Sequence, residues 1–389
     1  MSVANDTDRV DWALTHALRA ALWHARGATG LPRFPLGGAL LDEVLREAER
    51  HRVDVLVAEG LSSLGTPQDL LALEERRHRA LARALLLQSA RQRVSSILDE
   101  ARIPHLYLKG VLSDALYWGA RGARGTSDLD LLVPRDRSQD AVVALAEIGV
   151  QEARYPRHRA SIECGNARNL RWRTPAADVA IDVHAWLLSE PPFVDPSSEV
   201  LSEARTYETA GGAIRGPSPE HALLYLAGNL GSDGFSGRLK LALDAACLLL
   251  SGDVDVDRVR TGVRRWGCSA ALWALLALVE ARLGVVAPRG LLEQLQPGWA
   301  RGAFLRRVVG VKRAPLPGLG APVRAACAET PARALASLAS FGVLRSVDVA
   351  GRLPLLDGVV ERVTARARAP RGAGGSLAPG LRAAAERAR

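Results

Sequence analysis

The sequence predicts an α+β protein, with a small β-sheet core embedded in a mainly α-helical chain. Three observations carry this expectation. First, apolar residues make up 48% of the chain, mostly Leu, Ala and Val, and Leu and Ala favour helices. Second, before residue 100 and again beyond Pro217, these residues recur at spacings of three and four, the period of one helix face. Third, two short central segments, 128–133 and 179–184, alternate between apolar and polar or small residues, as a half-buried strand does.

Taken in order, Val10 to Arg26 and Leu40 to Glu59 read as helices, separated by a stretch rich in Gly and Pro. Pro67 opens a segment that runs to Glu100 without Gly or Pro, so one long helix is expected from about Asp69. His105 to Leu108 reads as a strand ended by Lys109-Gly110, and Val111 to Trp118 as a helix. Gly119, Gly122 and Gly125 form a loop before the strand at 128–133, which Pro134 ends. A helix is expected over Ser138 to Glu147, then the strand at 179–184. Ser218-Pro219-Glu220 is a helix start, with Ser as N-cap and Pro in the first helical position. Helices follow at Pro219–Leu230, Arg238–Leu250, Asp257–Trp266 and Ser269–Leu283. The expected divisions are a helical region 1–100, an α/β core 101–215, a helical domain 216–363 and a disordered basic tail 364–389.

Composition excludes several classes. The four cysteines, Cys164, Cys247, Cys268 and Cys327, are far apart and form neither a disulfide framework nor a zinc-ligand spacing. No apolar stretch reaches the roughly 18 residues of a membrane span. The N-terminus lacks a basic segment followed by an apolar run, so a cytoplasmic protein is expected. The net charge is +9, and residues 361–389 hold seven Arg against two Glu, so much of the surplus sits in the tail.

The chemistry concentrates at Asp128-Leu129-Asp130. Residues two apart on a strand point to the same face, so both carboxylates project together from a strand whose other side chains are apolar. Such neighbours repel unless a cation neutralises them, and Mg²⁺ (or Mn²⁺), a hard ion held by carboxylates and phosphates, suits them. Upstream, Lys109-Gly110 lies at a strand-to-helix junction. Gly there lets backbone approach phosphate, and the helix start offers free N–H groups. Lys109 adds a point charge for a triphosphate, with Arg124 and Ser127 within reach. Asp182 stands on the second strand, with His184 on its face. Lys240 and Asp244 are one helical turn apart, a spacing that fits a surface ion pair.

The strings LKGVLSDALYWGARGARGTSDLDLLV and DVAIDVHAWL resemble the uncharacterised nucleotidyltransferase family of the DNA polymerase β superfamily. The similarity extends through PSPEHALLYLAGNL and RLKLALDAACLLL, so it covers roughly residues 70–285. The resemblance implies a small mixed sheet flanked by helices and a metal-dependent transfer of a nucleoside monophosphate from an NTP, with ATP as the expected nucleotide. It implies that Asp128 and Asp130 bind two metals, and that Asp182 holds one metal and helps deprotonate the acceptor. Gly110 would lie under the triphosphate, and Lys240 and Asp244 would border the nucleotide pocket. The chain departs from relatives at Val111, where Ser or Gly is common, and at Gly228-Asn229, where His is common.

The acceptor is not legible and is expected to be a small molecule, peptide or protein. No template-binding module is recognisable, which argues against nucleic-acid polymerisation. The competing reading is a catalytically inactive nucleotide-binding regulatory or scaffold protein. The intact set of Asp128, Asp130 and Asp182 weighs against it.

Overall fold

In the computed structural model, the described residues are 6–27, 38–62, 67–119, 122–152, 167–174, 177–188, 192–233, 235, 238–310 and 320–338. They belong to one compact unit. The basic tail lies outside the described residues.

Three helices, α1 (Asp6–Ala25), α2 (Gly38–Arg50) and α3 (Asp54–Ser62), precede the long α4 (Pro67–Glu100). The helix expected over Leu40 to Glu59 is thus two helices. The turn at His51-Arg52 separates them, with Arg52 in the left-handed region at φ 54°. Periodicity missed this break because no Gly or Pro marks it. Val53 instead donates back to the Ala48 carbonyl, closing the end of α2. α1 packs tightly on α3, where Gly60 faces the Ala17 carbonyl. A Cβ at Gly60 would sit 1.9 Å from that oxygen. Gly60→Ala should therefore destabilise the protein by about 1–3 kcal/mol or more, read as a lower urea midpoint at unchanged m-value.

The central segment opens with β1 (Leu106–Tyr107) and α5 (Lys109–Tyr117). It continues through β2 (Asp128–Leu132), α6 (Ser138–Ala146), β3 (Val150–Glu152), β4 (Ala167–Thr174) and β5 (Ala177–His184). The sheet order is β1-β2-β5-β4-β3, with β2 and β5 parallel and the other pairs antiparallel, so it is a mixed sheet. Two of its strands, β3 and β4, were not legible. β4 reads ARNLRWRT, whose arginines break the apolar alternation. A second sheet pairs β6 (Arg205–Tyr207) with β7 (Ile214–Gly216), following a short helix α7 (Ser197–Ser202).

The odd-numbered residues of the two parallel strands, Leu129, Leu131, Val133, Val179, Ile181 and Val183, are buried against Val94, Leu98, Ala141 and Leu145 of α4 and α6. The even-numbered residues point the other way. Leu132 on that face joins the apolar cluster of the helical half. The carboxylate face therefore looks toward the helices that follow.

These are α8 (Pro219–Ser232), α9 (Arg238–Ser251), α10 (Val256–Trp266), α11 (Ser269–Leu283), α12 (Leu291–Leu295), α13 (Trp299–Gly310) and α14 (Gly320–Cys327), then a short helical stretch at 331–338. Their starts and stops follow local chemistry. The Ser218 hydroxyl accepts from the His221 N–H at the start of α8, with Pro219 in its first turn. Gly267 and Gly284 close α10 and α11 in left-handed conformations. No described helix is long and apolar enough to cross a membrane.

Candidate active site

Register brings the acidic residues together. Asp130 pairs with Asp182 and Asp128 with Ala180 across the parallel β2–β5 ladder. Asp128, Asp130 and Asp182 thus share one sheet face, on strands about 5 Å apart. Their environments differ. Asp130 is 6% exposed, whereas Asp128 and Asp182 are partly exposed. Burial alone would raise the Asp130 pKa, but Lys109, the His184 hydrogen bond and Arg124 outweigh it and hold the carboxyl well below the usual range. His184 Nε2 therefore donates to an ionised Asp130 Oδ1, at 3.1 Å. Burial pushes Asp182 up to about 6, with Asp130 adding to the rise and His184 opposing it. The three carboxylates are not equivalent: one is fixed as an anion and a neighbour is held near its titration point.

This asymmetry has a measurable sign. In metal-free protein, the folded state binds the Asp182 proton more tightly than the unfolded chain does. Stability should therefore fall as pH rises from about 4 to about 6 and level off above that. Asp182→Asn should abolish that fall, which amounts to roughly 3 kcal/mol, in urea titrations at stepped pH. An unchanged pH profile would place Asp182 in an ordinary solvated setting.

Lys109 and Gly110 stand beside these carboxylates because β1 is hydrogen-bonded to β2. The chain stays against that strand as far as Leu108, whose N–H donates to the Asp130 carbonyl at 3.0 Å. α5 then begins with a kink: Gly110 has φ 41° and ψ −106°. A Cβ there would lie 3.2 Å from Thr126 Cγ2 and 3.7 Å from Asp130 Oδ2. Glycine is required by the backbone angle, and it leaves the space beside the carboxylate free of side chain. The Lys109 ammonium lies 5.6 Å from the centre of the Tyr225 ring. Burial alone would lower its pKa, but Tyr225, Asp130, Asp233 and Asp128 raise it, so Lys109 is a stable cation facing the acidic group.

The remaining expected residues are arranged differently from the local pairs their spacing suggests. Lys240 does not pair with Asp244, and Arg124 does not stand free for a phosphate. Instead the Arg124 guanidinium grips Asp244, with Nε 2.7 Å from Oδ1, and both side chains are almost fully buried. Lys240 donates to the Gly125 carbonyl at 2.7 Å. Burial and then Arg124 pull its pKa down to about 7, against the pull of Asp244 and Asp128. Helix α9 thus holds the 124–126 loop at two points, just before the acidic strand. Asp114 fastens the same loop from α5, accepting from the N–H groups of Gly122 at 3.0 Å and Arg124 at 3.3 Å. Ser127 is exposed, and its hydroxyl lies 3.4 Å from Asp128 Oδ1.

Several neighbours were not singled out by the sequence. Asn169 and Arg171 on β4 pair in register with Asp182 and Ala180, so they extend the polar face beyond the carboxylates. Arg83 of α4 donates to the carbonyls of Ser127 at 2.6 Å and Asp178 at 2.9 Å, tying the long helix to the start of both acidic strands. Only strand register and the fold of α4 reveal these. A second acidic group, Glu199, Glu203 and His221, has ligand atoms within 4.8 Å of one another. Arg265 and Arg258 already pair with its two glutamates, so its charge is met by protein.

A model of the family described as uncharacterised nucleotidyltransferase matches residues 38–284. The match takes in the acidic strands, the 109–127 segment and helices α8 to α11. Comparisons with curated proteins and with solved structures give no match.

Proposed function

Because the chain belongs to the uncharacterised nucleotidyltransferase family, we propose that it transfers a nucleoside monophosphate from an NTP, with ATP as the expected donor, to an acceptor that is a small molecule, peptide or protein. The observation that carries this reading is the pairing of Asp130 with Asp182 beside the side-chain-free space at Gly110, under the Lys109 cation. Membership of the DNA polymerase β superfamily is part of the same proposal, supported by the parallel acidic strands.

The donor set fits a hard divalent ion. Asp128, Asp130 and Asp182 offer oxygen only, and burial first, then the neighbouring Asp130 and Asp128 carboxylates, raise the Asp182 pKa, so a further negative charge there is resisted without a cation. These residues would hold Mg²⁺ (or Mn²⁺), which supplies charge neutralisation for the triphosphate and for departing pyrophosphate. The protein's own groups account for the rest. Lys109 and the backbone at Gly110 bind the outer phosphates. Asp182 accepts the acceptor's proton as its hydroxyl or amine bonds to the α-phosphorus and the bond to pyrophosphate breaks. His184 keeps Asp130 oriented and ionised. The Arg124–Asp244 pair and Lys240 fix the loop that carries Ser127, and Ser127 borders the phosphates.

The test needs no acceptor. Each of the four NTPs is titrated calorimetrically with and without Mg²⁺. Metal-dependent binding of at least one NTP is expected, and Lys109→Ala should weaken ATP binding more than AMP binding. Absence of metal-dependent binding for all four would overturn the reading, and equal losses for ATP and AMP would remove Lys109 from the triphosphate.

A further inference from the structure

The helical half contains a cavity of about 320 Å³ that shares no residue with the acidic face. It lies between α10, the first turn of α11, the link from α12 to α13 and Glu329. Three arginines line it, Arg260, Arg264 and Arg301, against the single carboxylate of Glu329.

Four features make this more than a solvated charge cluster. The side chains of Arg264, which is exposed, and Arg301, which is half-buried, make no hydrogen bond or ion pair among the described residues. Arg260 gives Nη1 to Asp257 at 2.7 Å, but its Nε is buried with no hydrogen-bond partner among the described residues. The 15-residue α11 points its N-terminus here: Ser269 and Ala270 line the cavity, and the N-cap Cys268 supplies no side-chain cap. Its free N–H groups and positive dipole end add to the guanidinium charge. Finally, the volume falls at the lower end of the range for small-ligand sites. Three like charges around one cavity repel one another, and an anion relieves that repulsion.

We propose that this cavity is a second site for a compact polyphosphate anion, a diphosphate free or as part of a nucleotide. Guanidinium groups match phosphate oxygens in a forked, two-bond geometry. Asp257 meets Arg260 and Glu329 adds one carboxylate, so a net positive charge remains that the anionic oxygens of a diphosphate meet. Glu329, whose carboxylate accepts from the Ser269 hydroxyl at 3.2 Å, sits at the same helix end and competes with the incoming anion.

The site uses guanidinium and backbone donors, so its occupation needs no divalent ion. This separates it from the carboxylate site in one experiment. Full-length protein in EDTA is titrated with pyrophosphate and, separately, with ADP. Binding is expected in EDTA and should weaken with added salt. It should be unchanged in Asp128→Asn/Asp130→Asn, and should fall by about tenfold or more in Arg264→Gln/Arg301→Gln. Glu329→Gln should tighten it, an outcome that misfolding cannot produce. Stronger binding of ADP than of pyrophosphate would assign the source as a nucleotide, and the reverse would assign it as free diphosphate. The proposal is overturned if neither ligand binds in EDTA, if the double arginine variant binds as well as the parent protein, or if only single-stranded oligonucleotides bind.

Discussion

Asp130→Asn is expected to lower metal-dependent nucleotidyl transfer by about 100- to 1,000-fold or more, the scale set by removing one electrostatic contact to a charge-developing centre. The change keeps the shape of the side chain and removes the charge that Lys109, His184 and Arg124 all favour. From the sequence alone, neutralising either residue of the Asp-Leu-Asp triplet should relieve repulsion and leave the metal-free fold level or more stable. The structure divides the two. Asp130 sits among cations, so its replacement should also lower metal-free stability. Asp128 is partly exposed, and its replacement should leave stability nearly level. Asp182→Asn should instead preserve NTP binding while transfer collapses, because that carboxylate serves the attacking group. Single-turnover transfer, calorimetric binding and urea midpoints on the three variants check this. Small, equal effects on transfer at all three positions would mean that they are solvated strand-end charges.

Asp244→Ala should destabilise the protein by about 3–5 kcal/mol, because it strands the Arg124 guanidinium in the interior without a counter-charge. Arg124 and Asp244 are 4% and 0% exposed, so water cannot replace the lost partner. Replacing both residues together, Arg124→Met with Asp244→Leu, should recover most of that loss, since no unpaired charge remains. Nucleotide binding should not recover in step, because the loop from Gly122 to Ser127 would have lost one of its two attachments to α9, keeping only the Lys240 bond to the Gly125 carbonyl. Urea unfolding of the two variants, read beside ATP titration, separates stability from positioning. A single-variant loss below about 1 kcal/mol would show that the pair is solvated rather than buried.

Features that depend on neighbours along the chain were legible before any fold was known. Alternation placed Asp128 and Asp130 on one face of a strand, because side chains there repeat every two residues. Ser218-Pro219 marked the start of α8, because capping is a matter of three or four residues. The junction at Lys109-Gly110 was legible because only glycine takes the backbone angle found there without strain. Tertiary structure decided what depends on residues far apart in the chain. The β2–β5 register sets Asp182 against Asp130 across 52 positions; Lys109, His184 and Arg124 then hold Asp130 below the usual carboxylate range, while burial pushes Asp182 up to about 6. Strand β4, too charged to show a strand period, is held in place by hydrogen bonds to β3 and β5 rather than by its own pattern. Lys240 and Asp244, one turn apart, suggested a surface pair worth a few tenths of a kcal/mol. Packing turned α9 inward, so each reaches instead to the loop before the acidic strand, more than 110 residues away in sequence. Spacing along a helix fixes which residues share a face; only burial against the rest of the chain fixes what that face meets.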